Sequence, residues 1–394
     1  MSENGGIATR SSAFGSGRLA EQGLPKWSAL VLAFSGLVPA FFRPAGSGDP
    51  SLAIAWVAGL LLGAVIIKSS LCFAAAFRDP LLTGDTSQTR ALLLALAVST
   101  PVFAAVQAHP GFAVGTPPGH LYPVGIHTLT AGIVFGFGMV IAGGCASGVI
   151  TRAGDGFLSQ WVAVFGLAIG SLAGARHWNW WYPNVIAASP TVHFGSDGSL
   201  ARTALIQSGL LFIIYGVLLF RERRQYGESG VEVAPRLSQL RGLSWTDPWP
   251  YWAGGLVVGV VNSLLMLTTG RPWGITGELT SIAARLAASL AGLHPEKWAY
   301  FADESRMALL TTPPLSRPMV YVNLGVFAGA MATSIALGQY RPRRPQSPRA
   351  YATALLGGML MGYGARLSLG CTVGAVLGGI PSLSLHGWVF VPGL

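Results

Sequence analysis

Two of the chain's three cysteines close segments that are similar to each other, and a thiol at such a turn is a candidate ligand-binding group. Cys145 ends the run GIVFGFGMVIAGGC, and Cys371 ends GMLMGYGARLSLGC. Over residues 132–148 and 358–374, five glycines and the cysteine recur at one constant offset (371 − 145 = 226). A neutral thiol is a weak hydrogen-bond donor and a polarisable partner for sulphur. The pattern predicts two copies of one unit, a small-residue helix that ends in a Gly-Cys turn.

The composition places these units in a membrane protein. The chain of 394 residues is 51% hydrophobic and only 10% charged, with a mean hydropathy of +0.53. Soluble domains carry about 25% charged residues, so an all-α polytopic membrane protein is predicted, with roughly nine spans of about 20 residues. The net charge of +10 is assigned to arginines in loops rather than to a nucleic-acid surface. Three cysteines, an odd number, do not indicate a disulfide framework.

Hydropathy divides the chain into two transmembrane halves. The predicted spans lie at about 27–42, 51–67, 91–108, 127–143, 158–174, 203–220, 250–267, 319–338 and 350–369. Segment 68–79, which carries Cys72, is too short and too polar at its ends to span and is predicted to be re-entrant or interfacial. In the second half, residues 268–280 interrupt the chain at the corresponding place, and about 279–292 is predicted to be a second partial helix. The division is a flexible cytoplasmic tail at 1–26, a first half at 27–220 with its repeat unit at about 51–174, a basic cytoplasmic loop at 221–249 and a second half at 250–394. The tail does not have the pattern of a cleaved signal.

The basic loops predict how the two halves are oriented. Arginine-rich loops at 221–249 and 341–349 are expected in the cytoplasm, which places the N-terminus there as well and the Lys- and Arg-free loop 109–126 outside. The two Gly-Cys units then cross the membrane in opposite directions. Inverted repeats with broken helices are typical of transporters, whose binding site lies where the broken segments meet. The second half is predicted to lack the closing helix that 158–174 supplies in the first.

Four motifs along the chain resemble those of a known family. They are Ser69-Ser70-Leu71-Cys72-Phe73 with Arg78-Asp79, Ala142-Gly143-Gly144-Cys145, Gly270-Arg271-Pro272-Trp273-Gly274, and Leu369-Gly370-Cys371-Thr372. Together they resemble the YeeE/YedE family of sulphur transporters. The resemblance implies uptake of thiosulfate or a related anion across the cell inner membrane, with Cys72, Cys145 and Cys371 lining the path and handing the substrate inward. Some members of the family are linked to selenium metabolism instead.

Thiosulfate is a dianion, so a path through the membrane must replace its hydration with hydrogen-bond donors. The helix N-termini expected after Gly144 and Gly370 offer backbone N–H groups, a partial positive charge and the hydroxyls of Ser147 and Thr372. Arg366 lies inside a predicted span, where it could attract the anion, reach the interface or pair with a carboxylate. Arg78 with Asp79, and Arg152 with Asp155, are expected to form interfacial ion pairs or caps.

Two other classes of function stay open at this stage. The protein could be a membrane sulphurtransferase or thiol redox enzyme whose cysteines carry persulfide, although no Cys-x-x-Cys motif occurs. It could also be an accessory subunit. No P-loop and no metal-ligand spacing are present among the histidines, so no cofactor or metal is expected. The expected partners are a small sulphur anion, the lipid bilayer and a cytoplasmic sulphur-accepting protein.

Overall fold

The computed structural model describes residues 27–35, 50–109, 118–195, 198–226, 247–345 and 347–394. These residues form helices and connecting turns, and the only β-type pairing among them consists of isolated bridges. The predicted tail at 1–26, the end of the first predicted span and most of the basic loop lie outside the described residues.

Fourteen α-helices make up this part of the chain. In order they are α1 (Trp27–Ser35), α2 (Pro50–Ser69), α3 (Phe73–Leu82), α4 (Ser87–Ala108), α5 (Ile126–Ala142), α6 (Ala146–Gly154), α7 (Leu158–Trp181), α8 (Leu200–Tyr226), α9 (Tyr251–Thr269), α10 (Thr276–Ala291), α11 (Glu304–Thr311), α12 (Pro318–Ala336), α13 (Pro348–Leu367) and α14 (Leu385–Phe390). A π-helix, Tyr182–Ile186, continues α7, and another, Thr372–Gly379, lies between α13 and α14. By length and composition, the described residues contain eight helical segments able to cross a membrane, which confirms the all-α polytopic fold.

Glycines let the central helices touch backbone to backbone. A Cβ atom on Gly138 of α5 would lie 2.6 Å from the Met361 nitrogen of α13, and one on Gly364 would lie 2.7 Å from the Ala131 oxygen of α5. On its other side α13 packs against α7, where Gly362 would meet Ser171 in the same way. Close approach of this kind replaces the hydrophobic driving force that helices lack inside a membrane. The result is a tightly packed core of α5, α7 and α13, to which both predicted Gly-Cys turns are attached.

Polar contacts tie loops and helix ends of the bundle together. The Leu158 amide donates to the Arg343 oxygen at 3.1 Å, so the turns before α7 and before α13 lie at the same end. Near the end of α2, the Trp249 amide donates to the Lys68 oxygen at 2.9 Å. A buried ion pair between Arg90 and Glu222, 3.1 Å apart, holds the C-terminal part of α8 against α4.

The structure extends three of the predicted segments. Helix α8 runs to Tyr226, so Arg221, Arg223 and Arg224 lie on a helix and not in the predicted basic loop. The aromatic stretch after residue 174, predicted as loop, is helical as far as Ile186. Its alanines and tryptophans are compatible with a helix, and the first proline comes only at Pro183. Beyond Cys371, where a helix N-terminus but no further span was predicted, the backbone is helical over Thr372–Gly379 and Leu385–Phe390.

Candidate functional site

All three cysteines occupy the same local position, immediately before the first residue of a short helix. Cys72 precedes α3, Cys145 precedes α6 and Cys371 precedes the π-helix Thr372–Gly379. Each has extended backbone angles, so the chain turns there and the first N–H groups of the following helix have no partner within that helix. Every thiol therefore lies at the partially positive end of a helix.

The turn around Cys145 is compact and internally bonded. Gly143 ends α5 with a φ of 74°, a left-handed conformation that glycine adopts without a steric penalty. The buried Cys145 sulphur lies 3.2 Å from the Ser147 Oγ, and Arg152 donates to the Gly143 oxygen at 2.6 Å. Cys72 is partly exposed, and α3, which follows it, contacts α6, which follows Cys145. These two predicted path residues thus share one neighbourhood, together with Gly144 and Ser147.

The turn around Cys371 is more strained and leaves polar groups unused. Leu369 takes the left-handed conformation there, with a φ of 58°, which is costly for a residue with a Cβ. The amides of Val373 and Gly374 lie near the Cys371 sulphur without making a side-chain capping bond of ordinary geometry. The Thr372 Oγ1 is buried and has no hydrogen-bond partner among the described residues.

Arg366 lies one turn before this site and is only 1% exposed. It donates to the Tyr300 hydroxyl and, at 2.6 Å, to the Thr276 Oγ1 at the first position of α10. Its guanidinium carbon lies 5.5 Å from the centre of the Tyr300 ring. The expected alternatives of an interfacial position or a carboxylate partner are not found in the described part of the chain. The Nε atom has no hydrogen-bond partner there, so this buried cation has donor capacity left over.

A cavity of about 100 Å³ lies between the start of α10 and the Gly370 turn. Residues from five separate segments line it, and they include His120, Tyr122, Arg271, Gly274, Thr276, Glu278, Leu309, Met319, Leu369, Gly370 and Gly374. Gly370 reaches the cavity directly, while Cys371 and Thr372 follow it in the chain and Arg366 contacts the lining residue Thr276. A larger and more open hollow of about 690 Å³ lies beside α10 and α11, but it is lined by neither a cysteine nor either turn. We therefore place the candidate site at the smaller cavity.

The predicted motif Gly270–Gly274 forms one wall of this cavity. The Trp273 amide donates to the Asn262 Oδ1 at 2.9 Å, and the Trp273 indole donates to the Asn323 Oδ1 at 3.1 Å. Asn262 in turn donates to the Leu377 oxygen of the π-helix at 2.9 Å. A single buried amide therefore joins the two broken segments, as expected where irregular backbone lies at membrane depth.

Several of these residues were not predicted. Asn262 is a fully buried amide inside a predicted span, which by itself suggests a functional position. His120 was overlooked because it lies in an apparent loop, yet its Nδ1 is 2.8 Å from the Gly374 oxygen. Burial lowers the pKa of His120 to about 4. The carboxylate of Glu278 faces the cavity and is paired with Arg317 at 2.9 Å.

Of the two residue pairs predicted to form ion pairs or caps, Arg78 and Asp79 pair with each other, whereas Arg152 bonds the residue that caps α5 and does not pair with Asp155. Arg78 and Asp79 are 2.8 Å apart. Arg152 binds a backbone oxygen, whereas Asp155 accepts from Ser334 and pairs with Arg343 at 3.4 Å. The reason is that Asp155 ends α6 and faces the neighbouring loop at 341–345. No cluster of three or more metal-ligating side chains occurs among the described residues.

Residues 68–394 match the family model described as sulphur transport, and this range contains the three cysteines and the cavity. The chain belongs to the sulphur transport family. It is a multi-pass membrane protein similar to named transporters, which confirms the family suggested by the motifs.

Two relatives cover most of the chain. One is the thiosulfate transporter TsuA of Spirochaeta thermophila, 28% identical over 343 residues, or 84% of this chain and 92% of the relative. The other is the thiosulfate transporter TsuA of Escherichia coli, 26% identical over 349 residues, which is 84% of this chain and 88% of that relative. The probable transporter YedE of Escherichia coli is 34% identical over 143 residues, which is 36% of this chain and 34% of that protein.

Proposed function

We propose that this protein takes up thiosulfate, or a closely related sulphur anion, along a path that passes Cys371, Cys145 and Cys72. The observation that carries the proposal is that all three thiols lie at the N-termini of short helices. Free N–H groups and a partial positive charge stabilise an anion at such a position. Each of the two relatives named as thiosulfate transporters matches 84% of this chain.

The path has two neighbourhoods that the anion occupies in turn. The first is the cavity beside Gly370, with Cys371, Thr372 and Arg366 behind its lining. The second is the pair of thiols at Cys145 and Cys72, with Gly144 and Ser147. Helix α6 touches the π-helix Thr372–Gly379, so the two cysteine-bearing helices are adjacent. Several weak sites in series permit passage, whereas one strong site would retain the ion.

The cellular setting completes the proposal. The protein lies in the cell inner membrane with its N-terminus in the cytoplasm, because the basic segments at 221–249 and 341–349 follow the positive-inside bias. Cys72 is partly exposed and the other two thiols are buried, which suits Cys72 as the exit of the path. A cytoplasmic sulphur-accepting protein would receive the anion at that end.

Uptake of sulphur-35 thiosulfate into proteoliposomes tests the proposal. The unmutated chain should load the vesicles well above protein-free controls, and Cys72→Ala, Cys145→Ala and Cys371→Ala should each lower the initial rate by about tenfold or more, as expected for loss of a positioned donor. Gly209→Ala is the matched control, because no atom lies within 4 Å of the added methyl group.

Three results would count against the transport path. Uptake that survives removal of all three thiols would exclude the cysteine path, and a folded unmutated chain that takes up no thiosulfate would exclude this substrate. A stable persulfide on a cysteine after turnover would favour a sulphurtransferase.

A further inference from the structure

The cavity beside Gly370 contains an imidazole for which the proposed path has no role. His120 is held from two other segments of the chain and by its own loop. Its Nδ1 is 2.8 Å from the Gly374 oxygen, its amide donates to the Ser382 Oγ at 3.0 Å, and its ring stacks on Tyr122 with 5.5 Å between centroids. The ring lines the cavity in this fixed position.

The hydrogen bond to Gly374 determines which ring nitrogen is free. A carbonyl oxygen can only accept, so Nδ1 carries the hydrogen and neutral His120 has an unprotonated Nε2. A proton can add at Nε2 without breaking the bond to Gly374. That bond also favours the charged form of the ring, because its donor becomes more acidic in an imidazolium.

The groups around His120 keep it neutral until an anion arrives. Burial and the Arg271 guanidinium hold its pKa at about 4, well below the usual histidine value. The charged or titratable groups on the neighbouring elements are Tyr122, Arg271, the Glu278–Arg317 pair, Arg366, Cys371 and His386. Arginines outnumber carboxylates in this set, so the cavity attracts anions and disfavours a further cation when no anion is bound.

We propose that His120 takes up a proton on Nε2 when thiosulfate enters this cavity, so that binding of the dianion is linked to protonation of the ring. The inference rests on the proposed transport of thiosulfate and adds a residue that compensates the substrate's charge. The proton comes from water, one N–H bond forms at Nε2, and no covalent bond to sulphur forms or breaks.

The expected rise in the pKa of His120 is large enough to make thiosulfate binding depend on pH near neutrality. One opposite charge within about 4–6 Å raises a histidine pKa by roughly one to three, and thiosulfate brings two such charges. The pKa of His120 would therefore rise from about 4 towards about 7 in the complex. The pKa of His120 is higher in the complex than in the free protein, so thiosulfate binds more tightly at low pH. This gain in affinity is lost as the pH rises through the pKa of the complex. The slope is at most about tenfold in dissociation constant per pH unit.

Calorimetric titration of thiosulfate into the purified full-length chain in detergent tests this linkage. Measurements in two buffers with different ionisation enthalpies give the number of protons taken up, at about pH 6, 7 and 8, mostly below the ordinary titration range of thiols. We expect up to one proton per thiosulfate at the lowest pH and a dissociation constant that tightens several-fold from the highest pH to the lowest.

The decisive variant is His120→Gln, whose amide is polar and similar in length to the imidazole but cannot take up a proton. It should bind thiosulfate with no proton uptake and little pH dependence. The matched control is His193→Gln, because burial also lowers the pKa of His193 but its ring faces Gln107 at 3.4 Å and does not line the cavity. This control should behave like the unmutated chain.

Other outcomes would overturn the inference. Thiosulfate binding with no proton uptake, or with uptake that His120→Gln leaves unchanged, would overturn this inference alone. A folded unmutated chain that binds no thiosulfate would overturn the proposed function as well. If His120→Gln does not fold, infrared difference spectra of the unmutated chain with isotope-labelled histidine rings still test the protonation. Absence of an imidazolium signal on adding thiosulfate would contradict the proposal.

Discussion

The turns at Cys145 and Cys371 have nearly the same sequence pattern, but they differ in backbone strain and in whether their hydroxyl groups have hydrogen-bond partners. At Cys145 a glycine takes the left-handed position and the thiol lies beside a serine hydroxyl. At Cys371 a leucine takes the left-handed position and the threonine hydroxyl has no partner among the described residues. Strain and unpaired buried groups persist where the surrounding structure enforces them, and they concentrate at functional sites. Under the proposed function, we therefore assign the first binding of the substrate to the Cys371 turn.

The largest expected effect comes from the residue that has no equivalent in the first turn. Arg366 aligns with Val140, which is 65% exposed on the outside of α5. We expect Arg366→Met to lower thiosulfate uptake by roughly 10- to 150-fold, the equivalent of a charged hydrogen bond of about 1.5–3 kcal/mol. Proteoliposome uptake rates, with Val140→Met as the matched control, measure this.

The melting temperature of the Arg366→Met variant shows whether a loss of uptake comes from weaker substrate binding or from loss of the fold. Removing a buried guanidinium also removes its desolvation cost, so stability should not fall much. A variant that loses both uptake and fold would assign Arg366 a structural role in tying α13 to α10.

A smaller effect distinguishes the two hydroxyls. Thr372→Val keeps the shape but removes a buried group without a partner, so we expect thermal stability to rise by about 1 kcal/mol while uptake falls by about tenfold. Ser147→Ala removes a hydroxyl that lies 3.2 Å from the Cys145 sulphur, so stability should fall by less than about 1 kcal/mol. Denaturation curves of the two variants measure the changes in stability, and proteoliposome assays measure the changes in uptake. If Thr372→Val were less stable than Ser147→Ala, the inference that, of the two hydroxyls, only that of Thr372 lacks a partner would be wrong.

The last comparison concerns the stability of the turns and the paired glycines before the two cysteines. A Cβ on Gly370 would lie 2.7 Å from the Ala375 nitrogen, which is backbone and cannot move aside cheaply. We expect Gly370→Ala to cost about 1–3 kcal/mol of stability. On Gly144 the nearest atom would be 3.7 Å away, so Gly144→Ala should change stability by less than about 0.5 kcal/mol. Equal melting temperatures for the two variants would show that the turns are equally packed.

Much of the fold could be predicted from the sequence. Long apolar runs with few charges define the membrane spans, because the bilayer tolerates little else. Gly143 and Gly144 before Cys145, and Gly370 before Cys371, indicated turns where helices end. The predicted spans at about 91–108, 127–143 and 319–338 differ from α4, α5 and α12 by only a few residues at each end. Hydropathy could not set the ends of α7 and α8, since both continue through residues that suit a helix or a loop equally well.

By itself, the sequence determined the membrane class, the family motifs and the position of each cysteine beside a helix break, since these depend on local composition and spacing. Only the tertiary structure brought His120, Arg271 and Gly374 to one cavity, because the three lie on segments that are more than 100 residues apart. It also decided that Arg366 is buried and bonded to Tyr300 and Thr276. Such contacts depend on how helices cross, and helix crossing is set by backbone contact at glycines such as Gly138 and Gly364, which no hydropathy pattern records.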